Sequence, residues 1–315
     1  MLFADFEVAR ATDRLDPAKL QLLVSYLVGA QYPVVYTAFD GDHFAVTPLM
    51  RRYCLRHGAV PANPESILGY RDTVEKRISK QGVLRDDLGV LDRCDELWVF
   101  TDLGPHAGDL ASLAEGVRVE LAYFLRRSPG AAVKIVPVGA LLAGADPEPL
   151  RIDGTSPEFQ RLIDPQGEIS RFLSGDLVQD GRALPSVAFV AFDVLDSKYM
   201  HWLRPYALTF DKVGLVPGLA VELGDVAAAH GDLGCLLVSW ANLVRLAQEF
   251  WLFPAMDTTR PSGLIPELLL HVWTELRPGG TMRCQAWRDV RVPKALLGAA
   301  WPLTSSEQNV MRQGG

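Results

Sequence analysis

Apolar residues recur along the chain in two rhythms, short unbroken runs of strand length and longer stretches spaced by three and four. The runs VVYTAF, ELWVF and AVKIVP predict buried strands near 33–39, 96–101 and 132–137, with a shorter one near 58–61. Between them the helical spacing predicts helices near 44–57, 72–93 and 112–127. Leu84, Leu88 and Leu91 mark the sheet-facing side of the second of these, and Leu113, Val117, Leu121 and Phe124 that of the third. Strands alternating with helices imply a parallel sheet covered on both faces, an α/β fold. Ahead of this unit, Pro17 to Val28 predicts an added amphipathic helix, with Asp16 as its N-cap.

The pattern then repeats. Ala38, Phe39 and Asp40 match Ala191, Phe192 and Asp193 at an offset of 153 (191 − 38), and the same offset pairs Arg51 with Arg204, Tyr53 with Tyr206 and Leu55 with Leu208. Trp98 and Phe100 meet Trp251 and Phe253 in the same register. Beyond the next loop an offset of 147 pairs Gly116 with Gly263 and Glu120 with Glu267. The expectation is two tandem Rossmann-like parallel-sheet domains from an internal duplication. The first, with the N-terminal helix, spans 1–142; a linker rich in Pro, Gly and Asp with one short helix spans 143–184; a degenerate second copy spans 185–315.

With 49% hydrophobic and 22% charged residues, the 315-residue chain can form a sizeable core. A net charge of -7 and the lack of a basic run argue against nucleic-acid binding. Met1 to Arg14 mixes acids and bases without an apolar stretch, and the apolar runs are too short to span a bilayer, so neither a signal peptide nor a membrane partner is expected. Four widely spaced cysteines suggest neither a zinc site nor a disulfide framework, and a cytoplasmic location is the expectation. No HExxH, Walker A, GxGxxG or GxSxG pattern occurs, so metal, ATP, dinucleotide and serine-hydrolase chemistry lose support, and no cofactor is expected.

Candidate chemistry comes from acids in apolar stripes. Asp87 lies within the Leu84, Leu88 and Leu91 stripe, and Glu120 within that of the later helix. Asp86, about 200° around the helix from Leu84 and Leu88, is expected to be solvated. A desolvated carboxyl has a raised pKa, which is how active sites tune acids. The alternative is that Asp87 or Glu120 caps a loop or pairs with Arg51, Arg52 or Arg118. Tyr36 and Phe39, at the first strand's end, are candidates for stacking on a base, or else pack in the core. His43 and His106 lie in loops that could border the cleft.

Three segments, VVYTAF, DDLGVLDRCDELWVF and GVRVELAYF, resemble the nucleoside 2-deoxyribosyltransferase superfamily, which includes nucleoside transglycosylases and nucleotide N-glycosidases. The resemblance covers residues 33–137. It implies an N-glycosidase (hydrolase) or transferase acting on a nucleoside-like or nucleotide-like small molecule. Glu120 would be the nucleophile at the anomeric carbon, and Asp87 would orient the sugar or handle the leaving base's proton. Tyr36, Phe39, Asp40 and His43 are the expected substrate-binding residues. Asp40 and Asp42 in the first loop would repel a phosphate, and Ala122 stands where the family commonly has Gly; with these departures a nucleoside, a nucleobase-sugar metabolite or no substrate at all fits better than a simple monophosphate. Leu103 to Leu113 makes a long loop suited to a lid or a partner contact.

The 153 offset puts Trp240 opposite Asp87, so the second copy is expected to do no chemistry. It either acts as a built-in partner, making an intramolecular pseudo-dimer, or covers an apolar face of the first copy; a homodimer is the other assembly expected. A non-catalytic nucleoside-sensing or scaffold protein is the rival reading.

Overall fold

The computed structural model describes residues 16–39, 46–64, 80–103, 112–131, 133–152, 184–192, 206–207, 209–229, 232–253 and 263–285, with Asp164 and Gly167 apart from these. Its first sheet holds β1 (Val34–Phe39), β2 (Val60–Ala62), β3 (Glu96–Thr101), β4 (Val133–Pro137) and β5 (Leu150–Ile152) in the order β2-β1-β3-β4-β5. The first four strands are parallel, and β5 runs antiparallel to β4. Every β1 residue is buried, as expected of a central strand covered on both faces. The β5 strand lies in the stretch that the sequence marks as linker. Only three residues long and preceded by Asp-Pro-Glu-Pro, it has too little periodicity to stand out.

The second sheet holds β6 (Ser186–Phe192), β7 (Lys212–Leu215), β8 (Glu249–Phe253) and β9 (Thr281–Cys284), all parallel, in the order β7-β6-β8-β9. Nine helices are described: α1 (Pro17–Gly29), α2 (Thr47–Arg56), α3 (Lys80–Leu91), α4 (Glu115–Arg127), α5 (Val138–Leu142), α6 (Pro217–Ala220), α7 (Leu223–Ala229), α8 (Leu233–Val244) and α9 (Leu264–Leu276). Asp16 caps α1, its carboxylate accepting from the Ala18 N–H at 2.7 Å. Helix α4 begins three residues later than its apolar stripe suggests, leaving Leu113 buried ahead of the N-cap Ala114. Among the described residues no helix is long and apolar enough to cross a membrane.

Alternation along the strands sorts the core into layers. Val34, Tyr36 and Ala38 of β1 share one continuous apolar core with Val187, Phe189 and Ala191 of β6, while Val35 and Phe39 face a separate outer cluster, as do Ala188 and Val190. The helices that meet between the sheets cross from one unit to the other. Helix α3 packs on β6 and β7, α8 on β2 and α1, α9 on α1, and α2 on α7. Asp86 is consequently buried rather than solvated, because the flank of α3 away from its own sheet meets the second unit. The approach is close at Gly89, where a Cβ would lie 2.8 Å from the Pro185 carbonyl oxygen.

Polar anchors fix this seam. Arg51 of α2 pairs with Asp225 of α7 at 2.7 Å and Glu222 at 3.1 Å, and donates to the Leu219 carbonyl at 3.0 Å. Arg52 reaches the same Asp225 at 3.4 Å. The amide of buried Asn242 donates to Ala30 O at 2.8 Å and accepts from Tyr32 N–H at 3.0 Å. A buried charge pair costs desolvation on both partners, which offsets much of what the Arg51–Asp225 contact contributes to stability.

Several contacts recur in both units. Val34 pairs with Val60 and Val187 with Val213; Val35 pairs with Glu96 and Ala188 with Glu249. Asp95 accepts from Val34 N–H at 2.8 Å, and Gln248 from Val187 N–H at 2.7 Å. The Trp98 indole donates to Glu96 at 2.6 Å and that of Trp251 to Glu249 at 2.8 Å. Tyr53 meets Trp98 edge-on with ring centroids 5.8 Å apart, and Tyr206 meets Trp251 at 5.5 Å. Each of these pairs keeps the 153 spacing.

Candidate functional site

Helix α4 turns Val117, Leu121 and Phe124 toward the sheet, and Glu120 lies on that side because it falls three residues after Val117 and four before Phe124. Its side chain is buried, and Oε1 accepts a hydrogen bond of 2.9 Å from the Tyr36 hydroxyl. Tyr36 reaches it from the face of β1 that carries Val34 and Ala38. Burial pushes the Glu120 carboxyl up from 4.5 to about 8, while the Tyr36 hydrogen bond pulls it down. A carboxyl that titrates near neutrality can hold or release a proton at physiological pH.

Asp87 is buried on α3, which packs against α4, so the fold holds both acids in the interior of the first unit. Arg51 and Arg52 both pair with Asp225, and Glu120 accepts from a phenol. Tyr36, expected to stack on a base, has a fully buried ring and engages Glu120 through its hydroxyl instead. Phe39 is buried among Val35, Met50 and Trp98 on the opposite face of the sheet, away from Tyr36 and Glu120. The period of two along β1 sets the two rings on opposite faces of the sheet. Asp40, His43 and His106 lie outside the described residues.

The Tyr36 to Glu120 contact is the feature that sequence reading missed. A signal for it exists, since Tyr36 shares the alternation of Val34 and Ala38, and a tyrosine on a helix-covered face needs a hydrogen-bond partner. Among the described residues no group of three or more His, Cys, Asp or Glu is placed to hold a metal ion.

The corresponding place in the second unit is apolar. The bounds of α3 and α8 stand 153 apart, which puts Trp240 opposite Asp87, and Phe189 falls opposite Tyr36. For the later helix the structure corrects the register. The N-caps Ala114 and Gly263 are 149 apart (263 − 114), as are the left-handed glycines Gly130 and Gly279 that follow the helices. Leu269 therefore stands opposite Glu120, and Glu267, paired with it by sequence, is an exposed residue near the start of α9. An offset of 147 brought two glutamates into line but ignored the caps. A cavity of about 130 Å³ remains there, bordered by Ala191, Val216, Trp240, Ile265 and Leu269. Compared with protein-family models, curated proteins and solved structures, the chain matches none.

Proposed function

We propose that the first unit cleaves or transfers the N-glycosidic bond of a nucleoside-like substrate, with Glu120 as nucleophile. The observation that carries the reading is a buried carboxyl near its titration point in contact with one phenolic donor. In this scheme Glu120 Oε attacks the anomeric carbon as the bond to the base nitrogen breaks. The base leaves with the electron pair and takes a proton, for which Asp87 is the candidate by resemblance. Water or a second base then displaces the glycosyl ester and frees Glu120. Tyr36 favours the ionised carboxylate that attack requires, since a hydroxyl donated to a carboxylate stabilises the charge.

The repeated registers, caps and tryptophan contacts support a tandem duplication of a Rossmann-like unit, and the shared core supports an intramolecular pseudo-dimer. With Phe189, Trp240 and Leu269 at the positions matching Tyr36, Asp87 and Glu120, the second unit carries neither acid nor phenol at those three places. The same difference supports a second reading, a non-catalytic nucleoside sensor or scaffold, since under the duplication the fold would tolerate loss of the acids. Chromatographic base release from a panel of nucleosides, deoxynucleosides and nucleotides separates the two. Release abolished by Glu120→Ala supports catalysis; no turnover across the panel, with ligand binding retained, supports the sensor.

A further inference from the structure

A cavity of about 340 Å³ opens where α8 of the second unit crosses β2 of the first. It lies at the amino-terminal ends of β1 and β2 and shares no lining residue with the Tyr36 and Glu120 pair. Tyr26, Tyr32, Gly58, Cys235, Val238 and Ser239 form much of its wall.

The reason for the opening is legible in the matching junction, where α3 of the first unit meets β7 of the second. There Arg85 and Asp211 close the gap with an ion pair of 3.2 Å. At the 153 spacing their counterparts are Val238 and Gly58, which cannot form one. Gly58 and Asp211 share the left-handed backbone, with φ of 68° and 53°. A Cβ at Gly58 would meet no atom within 4 Å. One junction is thus bridged, while the other keeps a space within the roughly 300–1,000 Å³ range of small-molecule sites, at a domain interface where such sites concentrate.

The walls specify the ligand. Tyr26 and Tyr32 are 48% and 45% exposed, offering flat faces with polar tips. Among the described residues, two charged ones border the space. Arg56 is paired with Asp146 at 3.4 Å, and the Asp232 carboxylate caps α8 through Cys235 N–H at 2.8 Å. Opposite charges with partners of their own leave no net demand for an ion. We propose that this cavity is a binding site for a neutral, planar aromatic small molecule, held at the joint between the two units.

Indole and adenine are the neutral probes and benzoate the anionic comparator, titrated into the full chain by calorimetry. Alkylation of Cys235 by N-ethylmaleimide, read by peptide mass spectrometry, reports occupancy in the unaltered protein. Gly58→Asp combined with Val238→Arg rebuilds the ion pair of the other junction and closes the space. Saturable binding of indole or adenine is expected, with slowed Cys235 alkylation, weaker benzoate binding and an affinity loss of about tenfold or more in the closed variant. If that variant fails to fold, Ser239→Phe fills the same space. The proposal is overturned if neither neutral probe saturates at millimolar concentration, or if binding leaves Cys235 unprotected. Binding that survives cavity closure, or benzoate binding as tightly as the neutral probes, overturns it too. None of these readouts depends on Glu120, so failure here leaves the glycosidic reading standing, and the reverse.

Discussion

Tyr36 and Glu120 join β1 to α4 through one hydrogen bond of 2.9 Å between a buried phenol and a buried carboxyl. The hydroxyl donates, so the contact favours the ionised carboxylate, against the larger effect of burial. Tyr36→Phe removes only the donor. The Glu120 pKa is expected to climb further above about 8, by about half to one unit for a hydrogen bond of about 1 kcal/mol. In the proposed reaction the acid limb of the pH profile, where activity rises as Glu120 ionises, moves up by the same amount; an unmoved limb with lowered activity would assign Tyr36 a packing role alone.

The same carboxyl makes stability depend on pH. Its folded pKa of about 8 exceeds the ordinary 4.5, so between these values the folded state binds more protons than the unfolded one. Stability from this group is fully present below pH 4.5 and is lost as pH rises through 8. Glu120→Gln, which stays neutral, is expected to match the wild type near pH 5 and exceed it at pH 9 by on the order of a few kcal/mol. Urea unfolding at the two pH values measures the difference. Equal gains at both would mean that Glu120 ionises freely in the folded state.

Arg51 and Asp225 are nearly inaccessible to solvent, so removing one leaves the other charged and buried. Arg51→Met is expected to destabilise by about 3–5 kcal/mol, the cost typical of breaking a buried pair. Arg51→Met combined with Asp225→Leu recovers much of that loss, although Arg52 forfeits its contact as well. A double variant as unstable as the single one would show that the carboxylate is not what makes the loss costly.

How much of this architecture could be read from the chain depends on what local pattern encodes. The central strands β1, β3, β6 and β8 carry apolar runs, and the 153 offset that brought Ala38 onto Ala191 also aligns the registers of β1 and β6. Period and repetition are properties of the sequence itself. Asp86 was misplaced because helical periodicity identifies the face turned to the nearest sheet but says nothing of a second body on the opposite flank. Phe39 was grouped with Tyr36 by proximity along the strand, although residues three apart on a strand face opposite ways. Residue type pairs Glu267 with Glu120, whereas the helix caps align Leu269 with it.

Gly89 tests the seam from the backbone side. Alanine there adds a methyl 2.8 Å from the Pro185 carbonyl oxygen, a backbone atom that cannot rotate aside. Gly89→Ala is expected to cost about 1–3 kcal/mol as overpacking, despite alanine's better helix propensity. A gain in the thermal midpoint instead would mean that α3 and the segment before β6 part readily.

The equivalence of Leu269 with Glu120, and of Phe189 with Tyr36, is open to a double-mutant cycle. Leu269→Glu places a carboxyl in an apolar site with no tyrosine to receive it, and a loss of about 2–5 kcal/mol is expected. Adding Phe189→Tyr should return about 1 kcal/mol if the new phenol meets the new carboxyl as Tyr36 meets Glu120. On the rival pairing at an offset of 147, position 269 has no relation to Tyr36, and the two substitutions would add without coupling. The coupling energy, measured by urea unfolding at neutral pH, therefore decides which register relates the two halves. It also decides whether the second unit kept the framework of the site while losing the acids.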